Sequence, residues 1–118
     1  MKETITNKVL KGDVREIARD LPDNFFQCII TSPPYFNLRD YSEGKKENEI
    51  GKELSHDEYV SNLVKVFTIL KSKLKPDGLL WLNLGDTYKN KMLMGMPWRV
   101  ALALQDSGWI LRSDIIWY

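Results

Sequence analysis

The sequence predicts an α/β domain with a mostly parallel sheet and helices on both faces. Three observations carry that prediction. Two short runs, FFQCIIT (Phe25 to Thr31) and LLWLNL (Leu79 to Leu84), read as strands, and the first is apolar on both faces, which suits a central strand of a covered parallel sheet. Two longer stretches repeat their apolar residues at helical spacing. Proline and glycine punctuate the junctions, so the elements alternate as strand, helix, strand, helix, strand, helix, strand.

Taken in order, KVLKGD (Lys8 to Asp13) reads as a short strand ending in a Gly-Asp turn. VREIARDL follows, with Val14, Ile17, Ala18 and Leu21 on one helical face, and Pro22-Asp23-Asn24 stops it. FFQCIIT is the second strand, and Cys28 within it is expected to be a buried, inert thiol. Residues 36–54 form a long polar connection of the kind that is functional or mobile in compact domains. Ser55 then caps a helix, and Glu58 completes a capping box. Its buried stripe is Tyr59, Leu63, Val66, Phe67, Leu70 and Leu74, while Lys71, Lys73 and Lys75 suit its negative end. Pro76-Asp77-Gly78 ends that helix and LLWLNL forms the third strand. Pro97 opens a further helix, PWRVALALQDS, which Gly108 closes. WILR and DIIWY read as two more strand segments. An apolar strand at Ile115 to Tyr118 leaves three readings open: a strand that caps the sheet, an artefact of where the chain was delimited, or a chain cut short.

Composition removes several function classes. With 17 basic against 16 acidic residues, bulk charge does not argue for nucleic acid, so any such partner must be argued from a site. One cysteine excludes an internal disulfide, which fits a reducing cytoplasm, and one histidine leaves no His/Cys cluster for a metal. No apolar run approaches the ~18 residues of a membrane span, and the first residues lack an export signal.

The chemistry concentrates where the second strand halts on Ser32-Pro33-Pro34-Tyr35. Each proline fixes its own φ and pushes its predecessor into extended backbone, so the segment is stiff. Two N–H donors are missing in a row, which makes the surface rich in acceptors. The Pro33 carbonyl and the Ser32 hydroxyl can face one cleft at the carboxyl end of a parallel sheet, where α/β ligands bind. Such a pair suits an exocyclic amine on a planar ring, whose two protons it can hold while Tyr35 stacks on the ring. Rate then comes from positioning and fixed dipoles, with no titrating base. The bland alternative is that Pro-Pro only ends a strand.

TSPPY after an apolar strand resembles the catalytic motif of the amino-methylating DNA methyltransferases. The stretches VLKGDVREIARDLPDNFFQCIITSPPYFNLRDY, LKPDGLLWLNLGDTY and MPWRVALALQDSGWILRSDIIWY fall in that family's order and cover nearly the whole chain. The order is that of the beta group, in which the catalytic half precedes the cofactor-binding glycine motif. The resemblance implies a partial Rossmann-like, S-adenosylmethionine-dependent methyltransferase sheet and double-stranded DNA as substrate. It places Ser32, Pro33, Pro34 and Tyr35 in the amine-gripping motif and Thr31 at the end of the catalytic strand beside the cofactor. It sets Asp13 beside the cofactor's adenine, although Asp13 reads equally as the cap of the following helix. Asp86 falls at the active-site rim, contacting substrate or, as favoured here, closing a turn. Trp98 is expected in the core rather than against a base, and Arg39, Lys45 and Lys46 are candidates for DNA phosphates. A Ser at position 32 is associated in that family with cytosine N4, and Asp or Asn with adenine N6. The base must be flipped out of the duplex.

The departures matter as much. None of the seven glycines forms a Gly-x-Gly turn after a strand, so the cofactor's methionine part has no cradle. Residues 1–118 are therefore expected to be the catalytic portion of a methyltransferase domain, lacking the glycine-rich loop and the target-recognition region. Three readings compete: a fragment or split subunit that works with a complementary polypeptide, a non-catalytic remnant that binds DNA or a partner, and a methyltransferase for another planar amide. Ser32 counts against the last.

Overall fold

A computed structural model describes residues 5–37 and 49–118 of the chain. Helix α1 spans Val14–Ile17 and tightens into a 3-10 turn over Ala18–Asp20. Strand β1, Phe26–Thr31, leads through the Ser-Pro-Pro-Tyr segment toward helix α2, His56–Lys73. Strand β2 covers Leu74–Leu82, a small hairpin pairs β3 (Tyr88–Lys89) with β4 (Met92–Leu93), and helix α3 runs from Met96 to Asp106. Strands β1 and β2 pair in parallel, from Cys28 opposite Leu79 to Thr31 opposite Leu82. The predicted α/β class and its parallel pairing hold.

Helix α2 starts where the sequence places it. Ser55 is extended, and its hydroxyl accepts from the Glu58 N–H at 3.2 Å. Tyr59, Leu63, Val66 and Phe67 are buried, and Tyr59, Leu63 and Phe67 meet Met96, Val100 and Leu104 of α3 and Phe36 in one core cluster. Leu80 and Leu82 of β2 pack onto the same cluster. Lys73, expected to serve the helix terminus, is instead buried. Its ammonium donates to the Asp23 carboxylate at 2.7 Å and to the Arg19 carbonyl at 3.3 Å, tying α2 to the end of α1.

Pro76-Asp77-Gly78 lies inside β2 rather than ahead of it. The register jumps from Phe26 opposite Leu74 to Cys28 opposite Leu79, so these residues bulge out of the ladder. The Gln27 side chain holds the bulge by donating to the Asp77 carbonyl at 3.3 Å.

Several expectations need correcting. Residues 8–13 and 109–118 form no strand among the described residues, because neither segment has a neighbour to pair with. Cys28 is exposed, not buried. The sheet has one covered face, built from Ile29, Leu80 and Leu82. The other presents Cys28, Ile30, Leu79 and Trp81 to solvent, with Ile30 80% exposed. An apolar run cannot reveal which of its two faces its own chain covers. Among the described residues, no helix is long and apolar enough to cross a membrane.

The β3–β4 turn has an unusual occupant. Asn90 and Lys91 both have positive φ, 53° and 64°, the pattern of a tight primed turn that favours Asn-Gly. A lysine at the second position costs roughly 1–2 kcal/mol relative to glycine.

Candidate functional site

The end of β1 passes directly into the Ser32-Pro33-Pro34-Tyr35 segment. Thr31 remains in the ladder, because its carbonyl accepts from the Asn83 N–H at 2.9 Å. Beyond it the prolines leave no donors, and the segment is held by other elements. Tyr59, fully buried on α2, donates its hydroxyl to the Pro34 carbonyl at 2.6 Å. Burial above all, then the Glu53 carboxylate and Tyr35, pushes the Tyr59 phenol far above its ordinary value, so it stays a donor. Phe36 packs beside it, with ring centroids 5.4 Å apart.

Two glycines allow the close approach. A Cβ on Gly85 would collide with Cε2 of Tyr35 and lie 2.8 Å from its Cδ2, so the Tyr35 ring rests on the backbone that follows β2. Gly51, at φ 105°, closes from the other side. A Cβ there would lie 3.0 Å from the Tyr35 carbonyl and 3.2 Å from Pro34 Cβ. The Gly51 N–H donates to Glu53 at 2.7 Å, and Asn62 donates to the other Glu53 oxygen at 2.8 Å, which anchors this closure to α2. The Gly51 carbonyl in turn accepts from the Asn37 N–H at 2.6 Å.

The consequence is a division between two neighbouring carbonyls. That of Pro34 is occupied by Tyr59, whereas that of Pro33 accepts no hydrogen bond among the described residues. Ser32 is exposed beside it, and its hydroxyl has one neighbour, the Asn83 amide at 3.5 Å, the outer limit of a hydrogen bond. The described residues thus leave one carbonyl without a donor and one hydroxyl weakly partnered, next to each other on a stiff backbone.

The remaining sequence-predicted residues scatter. Asp13 caps α1: its carboxylate accepts from the Arg15 N–H at 2.8 Å and pairs with the Arg15 guanidinium at 2.6 Å. That Arg15 contact, above all, holds its carboxyl below the usual range despite partial burial. No hydrogen bond or ion pair joins Asp13 to the Ser32–Tyr35 segment among the described residues. Asp86 closes the turn after β2, as favoured. One oxygen accepts from the Thr87 and Met96 N–H groups at 2.8 and 3.1 Å, the other from Gly95 at 2.8 Å. Trp98 is exposed rather than in the core, since α3 buries Met96, Val100 and Leu104, and residue 98 falls on the opposite side of the helix. Arg39, Lys45 and Lys46 lie outside the described residues. No cluster of three or more His, Cys, Asp or Glu suited to a metal occurs among the described residues.

Tyr59, Gly85, Gly51 and Glu53 are the residues that sequence reasoning missed. Two signals point to them in hindsight. A tyrosine in an apolar helical stripe carries a hydroxyl that needs a buried partner, and a glycine just after a strand marks a close approach of backbone to something bulky.

Known proteins resemble this chain in sequence and fold. A family model for the N6/N4 methyltransferases, described as DNA methylase, matches residues 26–118. The type II methyltransferase M.SmaI of Serratia marcescens is 40% identical over 93% of this chain, and M.MwoI of Methanothermobacter wolfeii is 41% identical over 97% of it. The chain spans 47% of the first and 17% of the second. Among solved structures, the PvuII DNA methyltransferase, named as cytosine-N4-specific, superposes with a TM-score of 0.64 at 27% identity, over 80% of this chain and 32% of its own. The chain therefore belongs to the N6/N4 family of DNA methylases, alongside methyltransferases of type II restriction-modification systems.

Proposed function

We propose that this chain is the catalytic portion of a DNA methyltransferase that methylates the exocyclic amine of a flipped base, cytosine N4 in particular. The observation that carries the reading is the Pro33 carbonyl, unpartnered among the described residues, beside the exposed Ser32 residue, on a backbone locked by Tyr59 and Gly85. An aromatic amine is a weak nucleophile because its lone pair is delocalised into the ring. Ser32 Oγ and the Pro33 carbonyl each accept one of its hydrogens, which turns the lone pair out of conjugation. The nitrogen takes the methyl group as the carbon–sulfur bond breaks to leave a neutral thioether. It then loses one proton to solvent, since a neutral hydroxyl and an amide carbonyl can orient that proton but not keep it. Tyr35 presents the part of its ring not covered by Gly85 to the base. Holding these groups in place before the reaction is the catalytic contribution.

S-adenosylmethionine supplies the electrophilic methyl when bound. Its fit to this chain is limited to an edge. Asp13 is exposed and keeps spare acceptor capacity after Arg15 is satisfied, and Thr31 stands at the strand end, so these two would meet the adenine side. No Gly-x-Gly turn among the 118 residues cradles the methionine part. That shortfall supports the reading that the glycine-rich loop is supplied from outside these 118 residues, as a complementary polypeptide would do. Double-stranded DNA is the substrate, Arg39, Lys45 and Lys46 are assigned to phosphates from sequence alone, and the cytoplasm is the expected compartment.

The test is methyl transfer from labelled S-adenosylmethionine to duplex DNA, by this chain alone and mixed with a glycine-loop half from a relative, with the product base identified by mass spectrometry. The expected result is no transfer alone, N4-methylcytosine on mixing, and loss of transfer in Ser32→Ala. Full activity alone would refute the need for a partner, and N6-methyladenine would refute the base assignment. Silence in the mixture would favour the non-catalytic remnant.

A further inference from the structure

The β3–β4 hairpin has no part in the acceptor pair, yet it rises from the same end of the sheet. Between Asp86 and Asp106 the chain carries Lys89, Lys91 and Arg99 and no carboxylate, in a sequence whose net charge is only +1. Asp86 keeps its charge but makes no ion pair with these cations, its oxygens being engaged by the Thr87, Gly95 and Met96 N–H groups. Lys89 and Lys91 are exposed, and neither side chain has a partner among the described residues. Tyr88 and Met92 beside them are 74% and 69% exposed. The hairpin's placement is firm. Gly85 lies under the Tyr35 ring, Asp86 grips the start of α3, and the Met94 N–H closes the base of the hairpin on the Thr87 carbonyl at 2.9 Å. Its tip holds Lys91 at φ 64°, where glycine would relieve the backbone. A strained position that keeps a cation in place of glycine points to a use for the cation.

We propose that this hairpin is a DNA-contacting element at the rim of the site. Lys89 and Lys91 neutralise backbone phosphates beside the target base, and Tyr88 lays its ring against DNA unstacked by the base's departure. The charge complementarity, the run of cations without a carboxylate from residue 87 to residue 105 and the exposed aromatic fit nucleic acid better than a protein surface. The proposal rests on the DNA reading above and names the surface that reading lacks among the described residues.

The experiment is fluorescence anisotropy of the 118-residue chain with a labelled duplex of about 20 base pairs, titrated between about 50 and 300 mM KCl. The double variant Lys89→Gln/Lys91→Gln should weaken binding and flatten the log–log salt slope by about 1.8, or about 0.9 for each phosphate no longer neutralised. Tyr88→Ala should bind a duplex with an unpaired target base roughly tenfold more weakly, with the salt slope unchanged. Lys91→Gly separates this role from a folding role: its melting temperature should hold or rise while its DNA affinity falls. If the wild-type chain binds with a salt-dependent affinity and these variants match it in affinity and slope, the hairpin proposal is overturned and the DNA reading stands. If neither the wild-type chain nor its mixture with the glycine-loop half shows salt-dependent binding, both fall.

Discussion

Ser32–Tyr35 and Tyr88–Leu93 leave the same end of one parallel strand pair and are held in opposite ways. The first is gripped from several sides: Tyr59 on its Pro34 carbonyl, Gly85 beneath its tyrosine ring, Gly51 against Pro34 and the Tyr35 carbonyl. The second is fixed only at its base, by Asp86 and the Met94–Thr87 bond, and its tip stands in water. A group that must orient a single lone pair needs a backbone with no freedom left. A group that meets a charged polymer needs reach, charge and exposure, and tolerates motion. Rigidity is concentrated at Pro34 and Tyr35, next to the two proposed acceptors, rather than spread along the rim.

This contrast can be broken first at Gly85. Gly85→Ala drives a methyl into the Tyr35 ring and should cost about 2–3 kcal/mol in urea melts. It should also abolish methyl transfer by the completed enzyme, because the displaced ring carries its segment with it. Unchanged stability and transfer would show that the ring has room to move.

Tyr59→Phe removes one hydroxyl and leaves the Pro34 carbonyl without its donor, for about 1–2 kcal/mol. The completed enzyme should lose kcat more than KM for DNA, since orientation rather than affinity suffers. The same variant has a pH signature. The folded phenol titrates above its ordinary 10.0, so its contribution to stability is complete below that pH and is lost as pH climbs through the folded value. Wild type should therefore lose more stability than Tyr59→Phe in melts above about pH 10.

Asp86→Ala releases the N–H groups of Thr87, Gly95 and Met96, and about 1 kcal/mol is expected from loss of a helix cap. The hairpin should loosen while Ser32–Tyr35 stays in place, visible as faster amide exchange confined to residues 87–95. Trp98→Ala, on the exposed side of α3, should change stability by less than about 0.5 kcal/mol.

Much of this architecture can be read along the chain. Ser55 as the cap of α2, the stripe from Tyr59 to Phe67, Pro97 at the start of α3 and the parallel partnership of β1 with β2 follow from local spacing and punctuation. So does the stiff Ser32–Tyr35 segment, because proline acts on its immediate neighbours. The misreadings have a shared origin. Residues 8–13 and 109–118 have strand composition but no partner, Cys28 has strand periodicity but an uncovered face, and Trp98 has core chemistry on the outer side of its helix.

Local order is thus written residue by residue: where helices begin, where β1 stops, and which segment is stripped of donors. Which of two adjacent carbonyls remains available, and what lies under the tyrosine ring, depends on groups 25 and 50 residues away that meet only when α2 and the turn after β2 fold against the strand end. Dihedral preferences act over a few bonds, whereas hydrogen bonds and excluded volume act on whatever the fold brings within reach.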